Sequence, residues 1–246
     1  MSLLSSDEFL RYQRQMALPQ VGYDGQKKLK QARVLIIGMG GLGSPVSLYL
    51  AAAGIGTLGL IDEDHVDVSN LQRQVIYKTA DAGRSKVEAA AEQLSALNPH
   101  CHLNCHNDKF SDDSAELVTQ YDIIAECSDN FKTKYAVNDA CVTHDSINVS
   151  ASIQQFSGHI ALFNGKNSPC YRCLFPEIND QDIRICNEAG ILGTTAGIAG
   201  TLQAQCIVNH LLDINRKSML YTINTQLLKL NQPALAFNTD CPFHGG

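Results

Sequence analysis

The sequence predicts an α/β fold in which a parallel sheet is extended by antiparallel strands and carries helices on both faces. Strand-like and helix-like segments alternate through the first 150 residues, which is the pattern of a parallel sheet with crossover helices. After about Ser150, strand-like segments follow with no full helix between the last two, which favours antiparallel pairing at one edge of the same sheet. No repeat, low-complexity segment or linker interrupts the chain, so we expect one domain over residues 1–246.

Local patterns predict the elements in order along the chain. The first twenty-odd residues are predicted helical until Leu18-Pro19 breaks the helix, and Lys27 to Lys30 form a short basic helical turn. Runs of β-branched and aliphatic residues predict strands at 33–37, 58–62, 102–107, 122–127, 159–163, near 220–224 and near 226–230. Helices are predicted at 44–53, at 85–97 before the Asn98-Pro99 stop, from near Phe131, and within 189–212 after a glycine-rich lead-in.

Composition and charge argue against several functions. The net charge of −6 lacks the basic excess of a nucleic-acid or membrane-surface binder, so we expect neither partner. The segment 189–212 has no Asp, Glu, Lys or Arg, but its polar side chains and interior glycines indicate a buried helix rather than a membrane span. The first ten residues lack the features of a signal peptide, so the nine cysteines are expected to be reduced, in a cytoplasmic protein.

A glycine-rich turn joins the first strand to the next helix. Residues 38–43, Gly-Met-Gly-Gly-Leu-Gly, follow the strand at 33–37 and open a helix. In such Rossmann-like units the glycines allow a tight turn, close approach of the backbone to a phosphate, and packing of the helix on the strand. Asp62 closes the second strand, where its carboxylate can accept hydrogen bonds from a ribose. We expect an adenine nucleotide to bind at Gly38, Gly40, Gly41, Gly43 and Asp62.

Polar and basic residues beyond the second strand favour ATP over a dinucleotide. Asn70 and Arg73 lie in the run Asn-Leu-Gln-Arg-Gln, and Lys86 lies on the helix that follows. The β- and γ-phosphates of a triphosphate project past the glycine turn and need cations, which Arg73 and Lys86 can supply. Two surface cations on a solvated helix are the alternative. Asp129 follows the fourth strand, where a carboxylate can bind Mg²⁺ or cap the helix near Phe131.

Two pairs of metal-ligand residues occur far apart in the sequence. Cys170-x-x-Cys173 and Cys241-x-x-His244 each have the spacing of a zinc knuckle. Three thiolates and one imidazole complete a tetrahedral structural Zn²⁺ site, which would tie a loop in the middle of the chain to the segment around His244. Four unconnected residues are the alternative.

Seven motifs occur together in the order of a known family. They are residues 11–15 (Arg-Tyr-Gln-Arg-Gln), the glycine turn, residues 70–74, Lys86, Ser128-Asp129-Asn130, Cys170-Tyr171-Arg172-Cys173 and residues 200–204 (Gly-Thr-Leu-Gln-Ala). Together they resemble the ThiF/MoeB/HesA family, the bacterial relatives of ubiquitin-activating enzymes, from about Asp7 to His244. The family generally has four zinc cysteines, so His244 is a departure from its pattern.

The resemblance implies a role for each matching residue. By it, Asp62 is the ribose ligand, Arg73 and Lys86 are phosphate ligands, and Asp129 is the Mg²⁺-linked acid. Arg14 resembles an arginine that reaches the nucleotide in the other subunit of a homodimer, and the helix within 189–212 offers an apolar surface whose Gly193, Gly197 and Gly200 allow close packing.

Cys186 lies, by the same resemblance, in the crossover loop of the family. There it is the candidate acceptor of an acyl group or of sulfur. A thiol can attack an acyl adenylate, and the nearby Arg184 favours the thiolate. An unreactive loop cysteine is the alternative.

The resemblance implies an adenylyltransferase. It would use ATP to convert the C-terminal glycine of a ubiquitin-like sulfur-carrier protein, ending in Gly-Gly, into an acyl adenylate with release of pyrophosphate. The carrier would belong to the thiamine or the molybdopterin pathway, between which the sequence does not choose. No rhodanese-like extension follows His244, so we expect a separate sulfur-donor protein. Three alternatives stay open: an NAD-dependent oxidoreductase, a non-catalytic scaffold that binds ATP or a ubiquitin-like protein, and an enzyme for a different acyl carrier.

Overall fold

The computed structural model describes residues 4–176 and 190–244, and their strands form one eight-stranded sheet. The strands are β1 (Arg33–Ile37), β2 (Thr57–Ile61), β3 (His102–His106), β4 (Ile123–Glu126), β5 (Ile147–Gln154), β6 (Ser157–Asn164), β7 (Met219–Asn224) and β8 (Lys229–Asn231). Their order across the sheet is β3-β2-β1-β4-β5-β6-β7-β8. Pairing is parallel from β3 to β5 and antiparallel from β5 to β8. The predicted parallel sheet with an antiparallel extension is therefore confirmed.

Helices cover both faces of this sheet, as the sequence predicts. They are α1 (Ser6–Met16), α2 (Gly22–Gln31), α3 (Gly43–Ala53), α4 (Lys86–Leu97), α5 (Phe131–Thr143), α6 (Tyr171–Leu174) and α7 (Gly193–Leu211). The larger apolar core lies between the sheet and α3, α4 and α7, whereas α5 and the 3-10 segment Asp112–Gln120 pack on the opposite face. Within the two described ranges, no helix is long and apolar enough to cross a membrane.

β5 is the main element that the sequence analysis missed. Val149 and Ala151 enter the larger apolar core, whereas Ser150 is buried on the opposite face and bonds to Glu126. The polar residues that alternate with the apolar ones weaken the hydrophobic signal of this strand. The change to antiparallel pairing comes between β5 and β6, and β6 contains the strand predicted at 159–163.

Two helices are longer than predicted. α2 has ten residues instead of the turn expected at Lys27 to Lys30, and its buried side chains are Gln26 and Leu29, which make too short an apolar pattern to be recognised. α7 begins at Gly193, so glycines predicted to lead into the helix lie inside it.

The glycines of α7 do not act as the sequence analysis predicts. A Cβ on Gly193 would lie 2.2 Å from the carbonyl oxygen of Gln72, and one on Gly200 would lie 2.7 Å from that of Leu42. These two glycines therefore allow close packing within the chain, whereas Gly197 faces open space. The expectation that all three pack against another subunit is corrected for Gly193 and Gly200.

The turn after β1 depends on two glycines. Gly38 has a φ of +92°, and a Cβ on it would lie 2.9 Å from the carbonyl oxygen of Cys127. A Cβ on Gly43 would lie 2.0 Å from the carbonyl oxygen of Gly38. Glycine lets backbone segments approach this closely because it has no side chain. The first turn of α3 therefore packs directly on the backbone that leaves β1.

We expect Gly43→Ala to lower the free energy of unfolding by about 2 kcal/mol or more, because its methyl group would force the turn and α3 apart. Gly197→Ala is the matched control, since it changes the same residue type in a helix with open space around it. That change should raise the free energy of unfolding by about 0.5–1 kcal/mol through helix propensity. Urea denaturation followed by circular dichroism measures both values. Equal effects of the two substitutions would contradict this account of the turn.

Candidate functional site

A cavity of about 510 Å³ opens at the carboxyl ends of the central strands. β1 lies between β2 and β4, where the winding of the chain reverses, and open α/β sheets bind ligands in the crevice at such a point. The described wall brings together seven residues that the sequence singled out: Gly38, Gly40, Gly41, Asp62, Arg73, Lys86 and Asp129. Gly43 lies behind the turn, against the backbone of Gly38.

Asp62 follows β2 and holds the glycine turn. Its Oδ2 accepts a hydrogen bond of 2.7 Å from the backbone N–H of Met39, and its Oδ1 accepts one of 2.9 Å from the N–H of Asp64. Each carboxylate oxygen has a second lone pair. Asp62 can therefore hold the turn and still accept hydrogen bonds from a ribose.

Lys86 is a nearly buried cation at the start of α4. Its Nζ lies 2.7 Å from Oδ2 of Asp64 and 3.8 Å from Oδ1 of Asp62. Ser85 caps the helix by accepting a hydrogen bond from the N–H of Glu88, which fixes the point at which Lys86 leaves the backbone. The side chain of Lys86 is 6% exposed, whereas that of Asp64 is 65% exposed. A phosphate that enters the cavity would therefore compete with an accessible carboxylate for this ammonium group.

Arg73 lies beside the glycine turn. Its Nη2 donates a hydrogen bond of 2.7 Å to Oδ1 of Asn70, and a Cβ on Gly41 would lie 3.3 Å from its Cγ. Asn70 thus contacts Arg73, which itself forms part of the cavity wall. The hydrogen bond from Arg73 to Asn70 orients the guanidinium group.

Asp129 and Asn130 follow β4, and the structure shows which of them caps the next helix. Asn130 caps α5 by accepting a hydrogen bond of 2.8 Å from the N–H of Thr133. The alternative in which Asp129 is the cap is therefore wrong. In the part of the chain that the structure describes, the carboxylate of Asp129 has no hydrogen-bond or ion-pair partner, and it faces the cavity. Its oxygens are available to a cation.

Three residues of this site were not among those that the sequence analysis selected. Tyr77 is buried and donates a hydrogen bond of 2.8 Å to the carbonyl oxygen of Met39, and burial raises the pKa of its hydroxyl. Gln74 is 4% exposed in the cavity wall, and its Oε1 has no partner among the described residues. Lys109 also lines the wall, with Nζ 3.3 Å from Oε1 of Glu63. Gln74 ends the run of side-chain amides, which is the one sequence signal that could have identified it.

A buried ion pair lies beneath the turn that carries Asp129. Glu126 is completely buried, and its Oε2 lies 2.5 Å from Nζ of Lys134. Lys134 lies on α5 and forms part of the cavity wall. Sequence patterns gave no signal for this pair, because Glu126 ends a strand and Lys134 resembles any helical lysine.

One of the predicted catalytic residues, Arg14, lies apart from the described wall of this cavity. Arg14 is exposed on α1 and has no ion-pair or hydrogen-bond partner within residues 4–176 and 190–244. It is absent from the described residues that line the cavity. Cys186 lies outside the described residues. Gly190, the next described residue, lies in the cavity wall, and its carbonyl oxygen accepts a hydrogen bond of 3.1 Å from the N–H of Gln155.

The four predicted zinc ligands lie together, and their donor atoms are all within 4.8 Å of one another. The Sγ atoms of Cys170 and Cys241 are 3.7 Å apart, and Nδ1 of His244 lies 3.5 Å from Sγ of Cys173 and 3.5 Å from Sγ of Cys241. Tetrahedral ligands at Zn–S distances of 2.3 Å have sulfurs about 3.8 Å apart. The residues present therefore fit Zn²⁺, and the alternative of four unconnected residues is wrong.

Contacts around the cluster orient its ligands. Nε2 of His244 lies 3.0 Å from the carbonyl oxygen of Lys166, so a proton on Nε2 leaves Nδ1 free to bind a metal. Arg172, between the first two cysteines, donates two hydrogen bonds of 2.7 Å to the carboxylate of Asp139 on α5. The N–H of Tyr171 donates one of 2.7 Å to Oδ1 of Asn138. The cluster is thus fixed to the second half of α5.

The sequence is similar to one family model and to several curated proteins. A model of the ThiF family matches residues 12–243. The chain is 47% identical over 203 residues to "Adenylyltransferase and sulfurtransferase MOCS3" of Sus scrofa, which is 82% of this chain and 45% of that protein. It is 40% identical over 238 residues to "Probable molybdopterin-synthase adenylyltransferase" of Porphyra purpurea, which is 95% of this chain and 60% of that protein. The chain spans about half the length of the curated relatives it matches.

Solved structures share the fold. The crystal structure of E. coli MccB superposes with a TM-score of 0.84 at 24% identity, covering 100% of this chain and 75% of that chain. The structure of E. coli MccB with ATP gives a TM-score of 0.80 at 21% identity, covering 99% and 83%. At these identities the likeness concerns the fold.

We expect about one zinc ion per chain in protein purified under reducing conditions, because three thiolates and one oriented imidazole match the donor set of a structural site. His244→Ala should weaken zinc binding at least about tenfold, whereas His244→Cys should retain it by supplying a fourth donor. Elemental analysis gives the content, and competition with a chromophoric chelator gives the affinity. His100→Ala, which removes a histidine outside the cluster, is the control. Reduced wild-type protein without zinc would contradict the assignment.

Proposed function

This chain belongs to the ThiF family, and from that premise we propose that it is an ATP-dependent adenylyltransferase. It transfers AMP to the C-terminal glycine carboxylate of a ubiquitin-like sulfur-carrier protein and releases pyrophosphate. The single observation that carries this proposal is the cavity wall, in which Arg73, Lys86 and Asp129, which has no partner among the described residues, lie around the glycine turn.

The residues fit a triphosphate better than a dinucleotide. A glycine turn at a helix start holds one pyrophosphate through backbone N–H groups. Arg73 and Lys86 supply two further cations beside that turn, which a nicotinamide dinucleotide does not need. Both lie in the cavity wall and not on a solvated helix face, which supports their proposed role as phosphate ligands. This argues against the alternative of an NAD-dependent oxidoreductase.

The chemistry needs positioning and charge neutralisation. The terminal carboxylate of the substrate is ionised at neutral pH, so it can attack the α-phosphorus without a general base. Its attack forms the carboxyl–phosphorus linkage and breaks the bond to pyrophosphate, whose developing charge Arg73 and Lys86 stabilise. Mg²⁺ held by Asp129 would supply further neutralisation on the phosphates. The free carboxylate of Asp129 supports that role.

The relatives suggest the substrate and pathway. Two of them carry names that include adenylyltransferase, and one name includes molybdopterin synthase. These names favour the carrier of the molybdopterin pathway over that of the thiamine pathway. We further propose a separate sulfur-donor protein, and Cys186 as an acceptor of the activated acyl group or of sulfur. A scaffold that binds only a ubiquitin-like protein would not need two cations beside the glycine turn.

Other features of the chain support three general proposals. The strands of the described residues all join one sheet, which supports one domain over residues 1–246. The eight described cysteines are free thiols, which suits the reducing conditions of a cytoplasmic protein. Arg14 is exposed outside the described cavity wall and has no partner in the part of the chain that the structure describes, while Tyr49 on α3 and Ile198 on α7 expose apolar surface. We propose a homodimer in which Arg14 reaches the nucleotide of the partner subunit.

ATP–pyrophosphate exchange tests the activity. We expect exchange only when a ubiquitin-like carrier ending in Gly-Gly is present, because a carboxylate must attack the α-phosphorus. Lys86→Met should lower kcat/KM for exchange by about 10²-fold or more, since it removes a cation from the leaving group. Lys132→Met, an exposed lysine on α5 outside the cavity wall, is the charge-matched control and should behave like wild type. Absence of exchange with every carrier, together with tight nicotinamide binding, would reject the proposal.

Subunit complementation tests the shared site. Arg14→Ala and Asp129→Ala should each be nearly inactive as pure homodimers, because every site lacks one group. After mixing and subunit exchange, one site of each heterodimer has wild-type Arg14 and wild-type Asp129, so up to half the wild-type activity per heterodimer should return. Native mass spectrometry confirms that exchange has occurred. If exchange occurs and activity does not recover, Arg14 acts within its own subunit.

A further inference from the structure

Glu126 and Lys134 form an ion pair in which nearly every polar atom is used. Oε1 of Glu126 accepts hydrogen bonds from the backbone N–H of Ser128, at 2.8 Å, and from the Ser128 hydroxyl. Oε2 accepts from Nζ of Lys134, at 2.5 Å, and from Oγ of Ser150, at 2.6 Å. Nζ of Lys134 also donates 2.7 Å to the carbonyl oxygen of Ala151. The pair thereby joins the end of β4, the middle of β5 and the first turns of α5.

The same point is held from the other face of the sheet. Gln203 of α7 is completely buried, and its Nε2 donates hydrogen bonds to the carbonyl oxygens of Glu126, at 2.9 Å, and Val149, at 2.8 Å. Its Oε1 lies 3.4 Å from Sγ of Cys127. Both the side chain and the backbone of Glu126 are therefore fixed.

Stability alone is a weak reason for such a pair. Removing two charges from water costs free energy that their attraction often fails to recover, and apolar residues of similar volume commonly replace a buried ion pair without loss. Stability therefore does not explain the pair. Its structural effect lies in the two hydrogen bonds that Oε1 of Glu126 accepts, because both of them come from Ser128.

Ser128 adjoins the two parts of the cavity that the proposed reaction uses. It precedes Asp129, and a Cβ on Gly38 would lie 3.1 Å from its backbone nitrogen. Its backbone position therefore sets both the direction of the Asp129 carboxylate and the distance between that carboxylate and the glycine turn. A displacement of about 1 Å in a reacting group can cost about 10²-fold in rate.

We propose that Glu126, held by Lys134, is a positioning residue of the nucleotide site. Its Oε1 fixes Ser128, and Ser128 fixes Asp129 relative to the glycine turn, so that a metal-bound triphosphate meets one arrangement of ligands. The part of this inference that concerns catalysis rests on the proposed adenylyltransferase function. The part that concerns nucleotide binding does not require that function.

Two uncharged double variants separate positioning from stability. E126Q/K134M keeps a side-chain oxygen that can accept from Ser128, whereas E126M/K134M has none. Neither leaves a buried charge unpaired, which is the reason that single substitutions in this pair would destabilise the fold. The melting temperatures of the two variants should therefore agree within about 5 °C.

The expected result is a difference in activity at equal stability. In carrier-dependent ATP–pyrophosphate exchange, E126M/K134M should lose on the order of 10²-fold in kcat and need more Mg²⁺ for half-maximal rate, whereas E126Q/K134M should retain a kcat at least about tenfold higher than that of E126M/K134M. If both variants lose kcat to the same extent, the charges and not the hydrogen bonds matter, and the proposal is overturned. The proposal is also overturned if the loss of kcat in each variant merely parallels its loss of melting temperature.

Calorimetric titration supplies a readout that needs no carrier. The gain in ATP affinity on adding Mg²⁺ should fall at least about tenfold in E126M/K134M and should fall less in E126Q/K134M, which keeps an acceptor for Ser128, because residues that orient a metal ligand affect metal affinity by about 10–100-fold. If no carrier supports exchange with the wild-type protein, the proposed function fails, and this titration alone decides the positioning role. An unchanged gain in both variants overturns that role.

Discussion

The backbone of the glycine turn is in contact with three separate parts of the chain, and the position of any phosphate bound there depends on those contacts. Asp62 accepts a hydrogen bond from the N–H of Met39, and Tyr77 donates one to its carbonyl oxygen. On the third side, Gly38 approaches Cys127 so closely that no side chain fits between them. These contacts come from the loops after β2 and from the end of β4. Asp62, which lines the cavity, thus also helps to fix the position of the turn.

The sequence allowed prediction of features that depend on local spacing. The strand–turn–helix unit, the acid at the end of β2 and the two metal-ligand pairs each involve residues a few positions apart, so their patterns are visible without a fold. β5 and the Glu126–Lys134 pair were missed because polar residues in a core are stabilised by partners from distant segments. The choice between Asp129 and Asn130 as the cap of α5 also depended on three-dimensional geometry, since both residue types cap helices equally well.

α5 connects the cavity to the predicted metal cluster. Its first turn is capped by Asn130 beside Asp129. Its second half carries Asn138 and Asp139, which bind the segment between the first two cysteines, and Val142, which packs against the cysteines themselves. The cluster thus fixes the segment around His244 to the same helix that begins at the cavity. The predicted metal cluster and the turn that carries Asp129 therefore contact opposite ends of one 13-residue helix.

Three of the four cations in the described cavity wall already have a carboxylate partner before any ligand binds. Within the described wall, Lys86 contacts Asp64, Arg73 contacts Asn70, Lys109 contacts Glu63 and Lys134 contacts Glu126. In a protein of net charge −6, three ion pairs of this kind leave little positive potential beyond the mouth of the cavity. Electrostatic attraction therefore does not draw a polyanion to the cavity over distances longer than the Debye length. Binding depends instead on the cations of the wall leaving their present partners for the polyanion after contact. Because the protein and a nucleoside triphosphate both carry net negative charge, added salt should not slow nucleotide association, in contrast to enzymes whose open basic clefts steer their substrates.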